Sequence, residues 1–379
     1  MDNSHSHAAR FGSGRSVKRV EDASLLAGRG QFTDNVPVEG AVHIAFLRSP
    51  YAHANITSID TAAAEAMPGV IAVYTGPRLV ASGVKPMPTS AGFKRAGGAD
   101  PASPERHALA VGTARFVGEP VAAVVAVSRE AAKDALEAVM VDYDELPAVV
   151  DAVRATAPGA PAICPGAPDN IAAEMRHGHA GATDAAFAAA AHTVSLDLVN
   201  QRLAPSPMEP RSIVAGFDAA SNRLTVRISS QMPTGARSAL VDALPGLSVD
   251  NVRVVVGDVG GGFGMKTGIH PEDIVVAFAA RELQKPVRWQ AERVEEFLSA
   301  VHGRDVVSRA ELALDAQGKV LAMRVRSLAN VGAYAMGTGV AIQLLIGPWV
   351  SPSIYDIKTI DLHFLAVLTN TTPTGAYRG

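Results

Sequence analysis

Apolar and polar positions along the chain fall into short runs with the period of two that strands require, separated by small-residue stretches of helical spacing. VHIAFL predicts a strand over Val42–Leu47, followed by a turn at Ser49-Pro50. Thr61 to Met67 suits a short helix and Val70 to Tyr74 a second strand. Pro120 to Val127 is almost wholly apolar; Ser128 is placed to cap a helix reaching Ala138, and Val139 to Tyr143 reads as a returning strand. After an Ala/Pro-rich stretch from 151 to 175, read as a surface linker, a small-residue helix opens near Ala182 and a strand follows at Thr193–Val199. The prolines of RLAPSPMEPRSIVA argue against regular structure there. Further strands are expected at Leu224–Ser229, Val287–Ala291, Val306–Asp315, Val320–Leu328 and Leu362–Leu368. Helices are expected at Pro233–Leu244, from Pro271 to the stop at Lys285-Pro286, and at Glu292–Val301.

One stretch stands apart. In VRVVVGDVGGGFGMK (Val252–Lys266) the run Val254–Val256 reads as a buried strand and feeds straight into Gly260-Gly261-Gly262-Phe263-Gly264. Glycines there permit positive φ and leave main-chain N–H groups bare, a cradle for oxo or phosphate oxygens. A tight turn holding no ligand is the competing reading. A Walker loop would put glycine before the lysine, where Met265 stands; a dinucleotide fingerprint from Gly260 would put glycine at Met265. Neither fits.

The chain of 379 residues has material for two domains, and 48% hydrophobic with 19% charged residues describes a globular protein. A net charge of −3 without a Lys/Arg stripe gives no field for nucleic acid. Cys164 is the only cysteine, which excludes an internal disulfide and an iron–sulfur cluster ligated by this chain alone. The first residues lack an apolar signal core, His5 and His7 read as part of a polar tail, and Val340–Val350, interrupted by Gly347-Pro348, is too short to span a bilayer; the cytoplasm is the default compartment. The expected organisation is a flexible arm (1–20), an α+β domain (21–150), a linker (151–175) and a second domain (176–379).

Several segments together resemble the molybdopterin-binding large subunit of the xanthine dehydrogenase/aldehyde oxidase/carbon monoxide dehydrogenase family. RSPYAHANI (Arg48–Ile56), FVGEPVAAVVA (Phe116–Ala126) and VDYDELPAVVD (Val141–Asp151) resemble its α/β hammerhead domain. RLAPSPMEPR (Arg202–Arg211), SSQMPTGAR (Ser229–Arg237), DVGGGFGMK and PTGAYRG (Pro373–Gly379) resemble its first molybdopterin-binding domain, which would be incomplete here. The matches run in family order from about residue 16 to residue 379, and they are specific jointly rather than singly.

The resemblance implies a fold of hammerhead domain followed by the N-terminal part of the molybdopterin domain. It implies that Gln231 hydrogen-bonds an oxygen ligand of molybdenum, that Gly261, Gly262, Phe263 and Gly264 approach the cofactor with their main chain, and that Ala376 and Arg378 lie beside the pterin and the substrate. It implies a molybdenum–pterin cofactor, as molybdopterin cytosine dinucleotide, with the metal held by the dithiolene and not by this chain. Partner subunits would carry the 2Fe–2S cluster and the FAD, and a small aldehyde or N-heterocycle would be the substrate. The glutamate that serves the family as base lies beyond the matched region; because Arg378 falls one residue from the end, the chain reads as stopping inside a domain, with another chain supplying the C-terminal half. A truncated, inactive fragment or cofactor-binding module is the alternative. The residue after Arg378 is Gly379, where carbon monoxide dehydrogenases carry a copper-binding cysteine, so oxidation of carbon monoxide is disfavoured.

Overall fold

The structure is a computed structural model that describes residues 16, 18–89 and 92–378. His5, His7, most of the expected N-terminal arm and Gly379 lie outside the described residues. Three sheets and the helices packed on them make an α+β fold.

The largest sheet has seven strands in the order Val252–Val255, Arg223–Ile228, Ser212–Asp218, Val287–Gln290, Val42–Arg48, Pro120–Ala126, Val70–Thr75. It crosses the boundary expected near residue 150: Val42 and His43 pair in parallel with Val287 and Arg288. One apolar core accordingly mixes Ile44, Phe46 and Val125 with Ile213, Val226, Ile274 and Trp289. The Pro271–Leu283 helix packs on this sheet and is buried from Pro271 through Ala277, the charged Glu272 and Asp273 included. Ser128 caps the Arg129–Leu136 helix by accepting from the Ala131 N–H at 3.1 Å.

A second sheet orders Ile171–Gly178, Ile360–Leu368, Val320–Gly332, Val306–Leu314 and His192–Asn200. Its last strand is exposed at all nine positions, Val194, Leu196, Leu198 and Val199 among them. A three-stranded sheet joins Thr113–Ala114, Ala54–Asp60 and Met140–Glu145.

Four features depart from the sequence reading. Among the described residues Val252–Val255 is an edge strand, paired only with Arg223–Ile228, and Val254 and Val255 are half-buried. Ser212–Asp218 is an interior strand of the large sheet despite the prolines before it, because Pro210 ends the irregular stretch. The stretch read as a linker sends Ala152, Ala155, Ile163, Cys164 and Ala167 into the core beneath the five-stranded sheet, and Ile171–Gly178 within and beyond it is a strand. Gly347-Pro348 does not end the helical run from Gly337 to Val350; a π turn at Ile342–Ile346 precedes it. Among the described residues, no helix is long and apolar enough to cross a membrane.

Candidate functional site

Arg223–Ile228 and Val252–Val255 run parallel, so the segments leaving their C-terminal ends emerge on the same edge of the sheet. One leads through Ser229-Ser230 to Gln231 and the Pro233–Ala243 helix; the other leads into Gly260–Gly264. Crevices beyond the carboxyl ends of parallel strands are habitual ligand sites. The segment 369–378, arriving from Ile360–Leu368 of the other sheet, closes over this edge.

The sequence-selected residues meet here. The Gln231 Oε1 accepts from the Gly264 N–H at 2.9 Å, and a Cβ on Gly262 would run into the Gln231 amide. The Arg378 N–H donates to the Phe263 carbonyl at 3.0 Å, and its guanidinium lies 4.8 Å from the Phe263 ring centroid. A Cβ on Gly264 would lie 2.6 Å from the Ala376 carbonyl oxygen. Gly264 has φ +100° and Phe263 +53°, the latter uncommon for a side chain of that size. Phe263 is 38% exposed and so is not core; Gln231 and Arg378 are exposed with it on one open face.

The loop's N–H groups are not uniformly bare. Gly260 donates to Glu209 Oε2 at 2.8 Å, Gly264 to Gln231, and Met265 to the Gly262 carbonyl at 2.9 Å. Among the described residues, the N–H groups of Gly261, Gly262 and Phe263 have no acceptor, nor does the Gln231 Nε2. The hydrogen bond from Gly264 fixes which end of the Gln231 amide points outward: the NH2. Arg378 has no carboxylate partner among the described residues. The face therefore offers donors and a cation, complementary to an anionic group rich in oxygen. Among the described residues, no cluster of three or more His, Cys, Asp or Glu side chains is placed to hold a metal ion.

Behind the face lie groups whose roles the sequence left unassigned. Lys266, buried, donates to the Glu209 carbonyl (2.7 Å), to Ser229 Oγ (2.8 Å) and to Glu209 Oε2 (3.2 Å); burial draws its pKa down, opposed by the Glu209 carboxylate. Arg202 ties down the 369–378 segment, donating to the Thr372 carbonyl at 2.7 Å, to Thr371 Oγ1 at 2.8 Å and to Asp305 at 2.7 Å. Arg211 is buried between Glu272 (3.0 Å) and Glu296 (2.9 Å) and donates to Ser299 Oγ at 2.6 Å. Arg48 reaches Glu272 at 2.7 Å and also meets Glu295. Burial works against charge on Arg211 and on Glu272, but each holds the other ionised, shifting Arg211 up and Glu272 down. His270 beside them is pushed well below the usual imidazole range, first by burial and then by Arg211. Arg202, Glu209 and Arg211 all sit in RLAPSPMEPR, and that motif was the only signal for them.

Comparison with known proteins places this arrangement. The molybdopterin cofactor-binding domain model matches residues 163–379, and the aldehyde oxidase and xanthine dehydrogenase a/b hammerhead domain model matches residues 27–147. The nicotine 6-hydroxylase large subunit of Paenarthrobacter nicotinovorans is 35% identical, covering 100% of this chain and 46% of its own length. A carbon monoxide dehydrogenase large chain of Hydrogenophaga pseudoflava is 37% identical over 94% of this chain and 45% of its own. Quinoline 2-oxidoreductase from Pseudomonas putida 86 superimposes with TM-score 0.86 at 35% identity, covering 96% of this chain and 45% of that one. The chain thus spans about half the length of the relatives it matches. It belongs to the family of molybdopterin-binding large subunits that includes xanthine dehydrogenases, aldehyde oxidases and carbon monoxide dehydrogenases.

Proposed function

We propose that this chain forms part of a molybdenum hydroxylase that oxidises an aldehyde or N-heterocycle with oxygen derived from water. The observation that carries the reading is the outward Gln231 NH2 beside the unpaired N–H groups of Gly261, Gly262 and Phe263, with Arg378 across the loop. The cofactor, as molybdopterin cytosine dinucleotide, would supply the metal and its dithiolene ligands and accept the electrons of the substrate. On this side of the cofactor, Gln231 would donate a hydrogen bond to an oxygen without adding charge. The loop N–H groups would hold a second anionic edge in place, and the Arg378 guanidinium would orient a carbonyl or balance the cofactor's charge. Electrons would leave through partner subunits carrying a 2Fe–2S cluster and FAD, and the remaining half of the large subunit would supply the general base, all in the cytoplasm.

A second reading is a cofactor-binding module without turnover of its own. It is favoured by the placement of Glu209, the carboxylate adjoining the loop: its Oε2 accepts from Lys266, Ser229 and Gly260 and its Oε1 is buried without a partner among the described residues, so neither oxygen is presented on the open face as a base. Purification of the chain alone and together with the remaining half of a relative's large subunit separates the readings. Molybdenum, pterin and substrate-dependent dye reduction only in the joint preparation support the first. Bound cofactor without dye reduction in either preparation supports the second, and no molybdenum or pterin in either overturns both.

A further inference from the structure

Lys266 reaches both neighbours of the loop at once. Its ammonium holds Glu209 and Ser229, while its own carbonyl accepts from the Gln231 N–H at 2.8 Å and from Ser230 Oγ at 3.3 Å. The same Glu209 Oε2 accepts from Gly260, at the entrance of the loop, and from Ser229 Oγ at 2.6 Å. Entrance and exit of Gly260–Lys266 are thus fastened to one carboxylate, and the segment carrying Gln231 is fastened to the exit. A Cβ on Gly260 would meet the Glu209 Cβ at 2.5 Å, so the loop lies directly against its anchor.

Stability alone does not account for a buried lysine–glutamate pair here. Apolar side chains of the same volume serve a core as well as a desolvated ion pair does, and often better. What the pair adds is direction. Charges with several fixed hydrogen bonds tolerate one geometry, whereas an apolar replacement tolerates many. That geometry brings the Gly264 N–H to Gln231 Oε1. With the loop loosened, the Gln231 amide is free to turn over and present its carbonyl oxygen outward, which repels an oxygen-rich ligand.

We propose that Lys266 and Glu209 are positioning residues that set the orientation of the Gln231 amide toward its ligand; this rests on the reading of Gln231 as a ligand-facing donor. The test uses the full chain labelled with nitrogen-15, without cofactor. It follows hydrogen exchange of the Gly264 N–H and the side-chain NH2 resonances of Gln231. In Lys266→Met we expect Gly264 exchange at least about tenfold faster and displaced Gln231 NH2 signals, with Val125 in the Pro120–Ala126 strand still exchanging at its wild-type rate. Ser229→Ala removes one acceptor of Lys266 and introduces no bulk; it should give a smaller change confined to the same groups. Wild-type Gly264 exchange and Gln231 signals in folded Lys266→Met overturn the proposal. Where Lys266→Met also accelerates Val125 exchange, Ser229→Ala decides, and unchanged Gly264 exchange there overturns it. A wild-type chain that binds neither molybdenum nor pterin, whether alone or together with the remaining half of a relative's large subunit, overturns the cofactor reading instead, and it leaves these amide measurements as they are.

Discussion

Arg378 and Phe263 hold each other twice: main chain to main chain at 3.0 Å, and guanidinium over ring at 4.8 Å. A segment from one sheet and a loop from another are joined at that point, at the edge where Gln231 also arrives.

The pair predicts measurable coupling. Phe263→Ala and Arg378→Ala should each lower stability by about 0.5–1 kcal/mol, the worth of a partly exposed cation–π contact. The double variant should lose less than the sum, because the second substitution removes a partner already gone. Urea titrations of the four proteins give the coupling directly.

Glycine substitutions should separate the loop's constraints. Gly264→Ala places a Cβ 2.6 Å from the Ala376 carbonyl at φ +100°, and should cost about 2 kcal/mol or more. Gly268, with φ −120° and open space where a Cβ would go, should accept alanine with little change. Equal losses at the two positions in thermal unfolding would contradict this account.

Arg211→Met should be among the most damaging single changes, by about 3–5 kcal/mol, because among the described residues it leaves Glu296 charged and buried without a cation and leaves Glu272 with Arg48 alone. Arg211→Lys should recover only part of the loss, since an ammonium cannot address Glu272, Glu296 and Ser299 together.

Acid should weaken the fold in two windows. His270, His43 and His302 all have lowered pKa values, chiefly through burial, so below about pH 6.5 the unfolded chain takes up protons that the folded one refuses. Stability therefore falls as pH drops from 7 toward 5, and His270→Gln should flatten that slope. Glu272, whose pKa is depressed, adds stability above the ordinary glutamate range that is lost only at more acid pH. Asp273, raised to about 7 by burial, acts in the opposite sense: between about pH 4 and 7 the folded state holds its proton more tightly, so its own contribution declines as pH rises. Urea titrations at pH 7, 6 and 5 measure the sum, and the His270→Gln difference isolates the imidazole share.

The His192–Asn200 strand should govern self-association. Leu196→Lys puts a charge in the middle of an exposed apolar edge and should reduce aggregation of the isolated chain in light scattering. An unchanged particle mass would show that another surface is responsible.

Much of the fold was legible because strand and helix periods differ. Val42–Arg48, Val70–Thr75, Pro120–Ala126, Val306–Leu314 and the Pro271–Leu283 helix all lie where alternation or caps placed them. Ala54–Asp60 was missed because ANITSID is polar and its strand is half exposed. The edge position of Val252–Val255 was not legible, since an apolar run looks alike at the rim and in the middle of a sheet. At the site, the residues of the glycine loop were visible as a local pattern. Gln231 and Arg378 came only through family likeness, and Lys266 and Glu209, though each lies in a quoted motif, carry no mark of their pairing, because a buried ion pair is made by residues far apart in the chain.

The short parallel ladder between Val42–Arg48 and Val287–Gln290 decides where this molecule can be cut. A chimera joined near residue 150 would follow the two family matches and still saw through one continuous sheet, separating the Val287–Gln290 strand from its native Val42–Arg48 neighbour and halving a shared core. Exchange of parts among relatives has to carry both sides of that seam together. A calorimeter should accordingly register a single melting event rather than two.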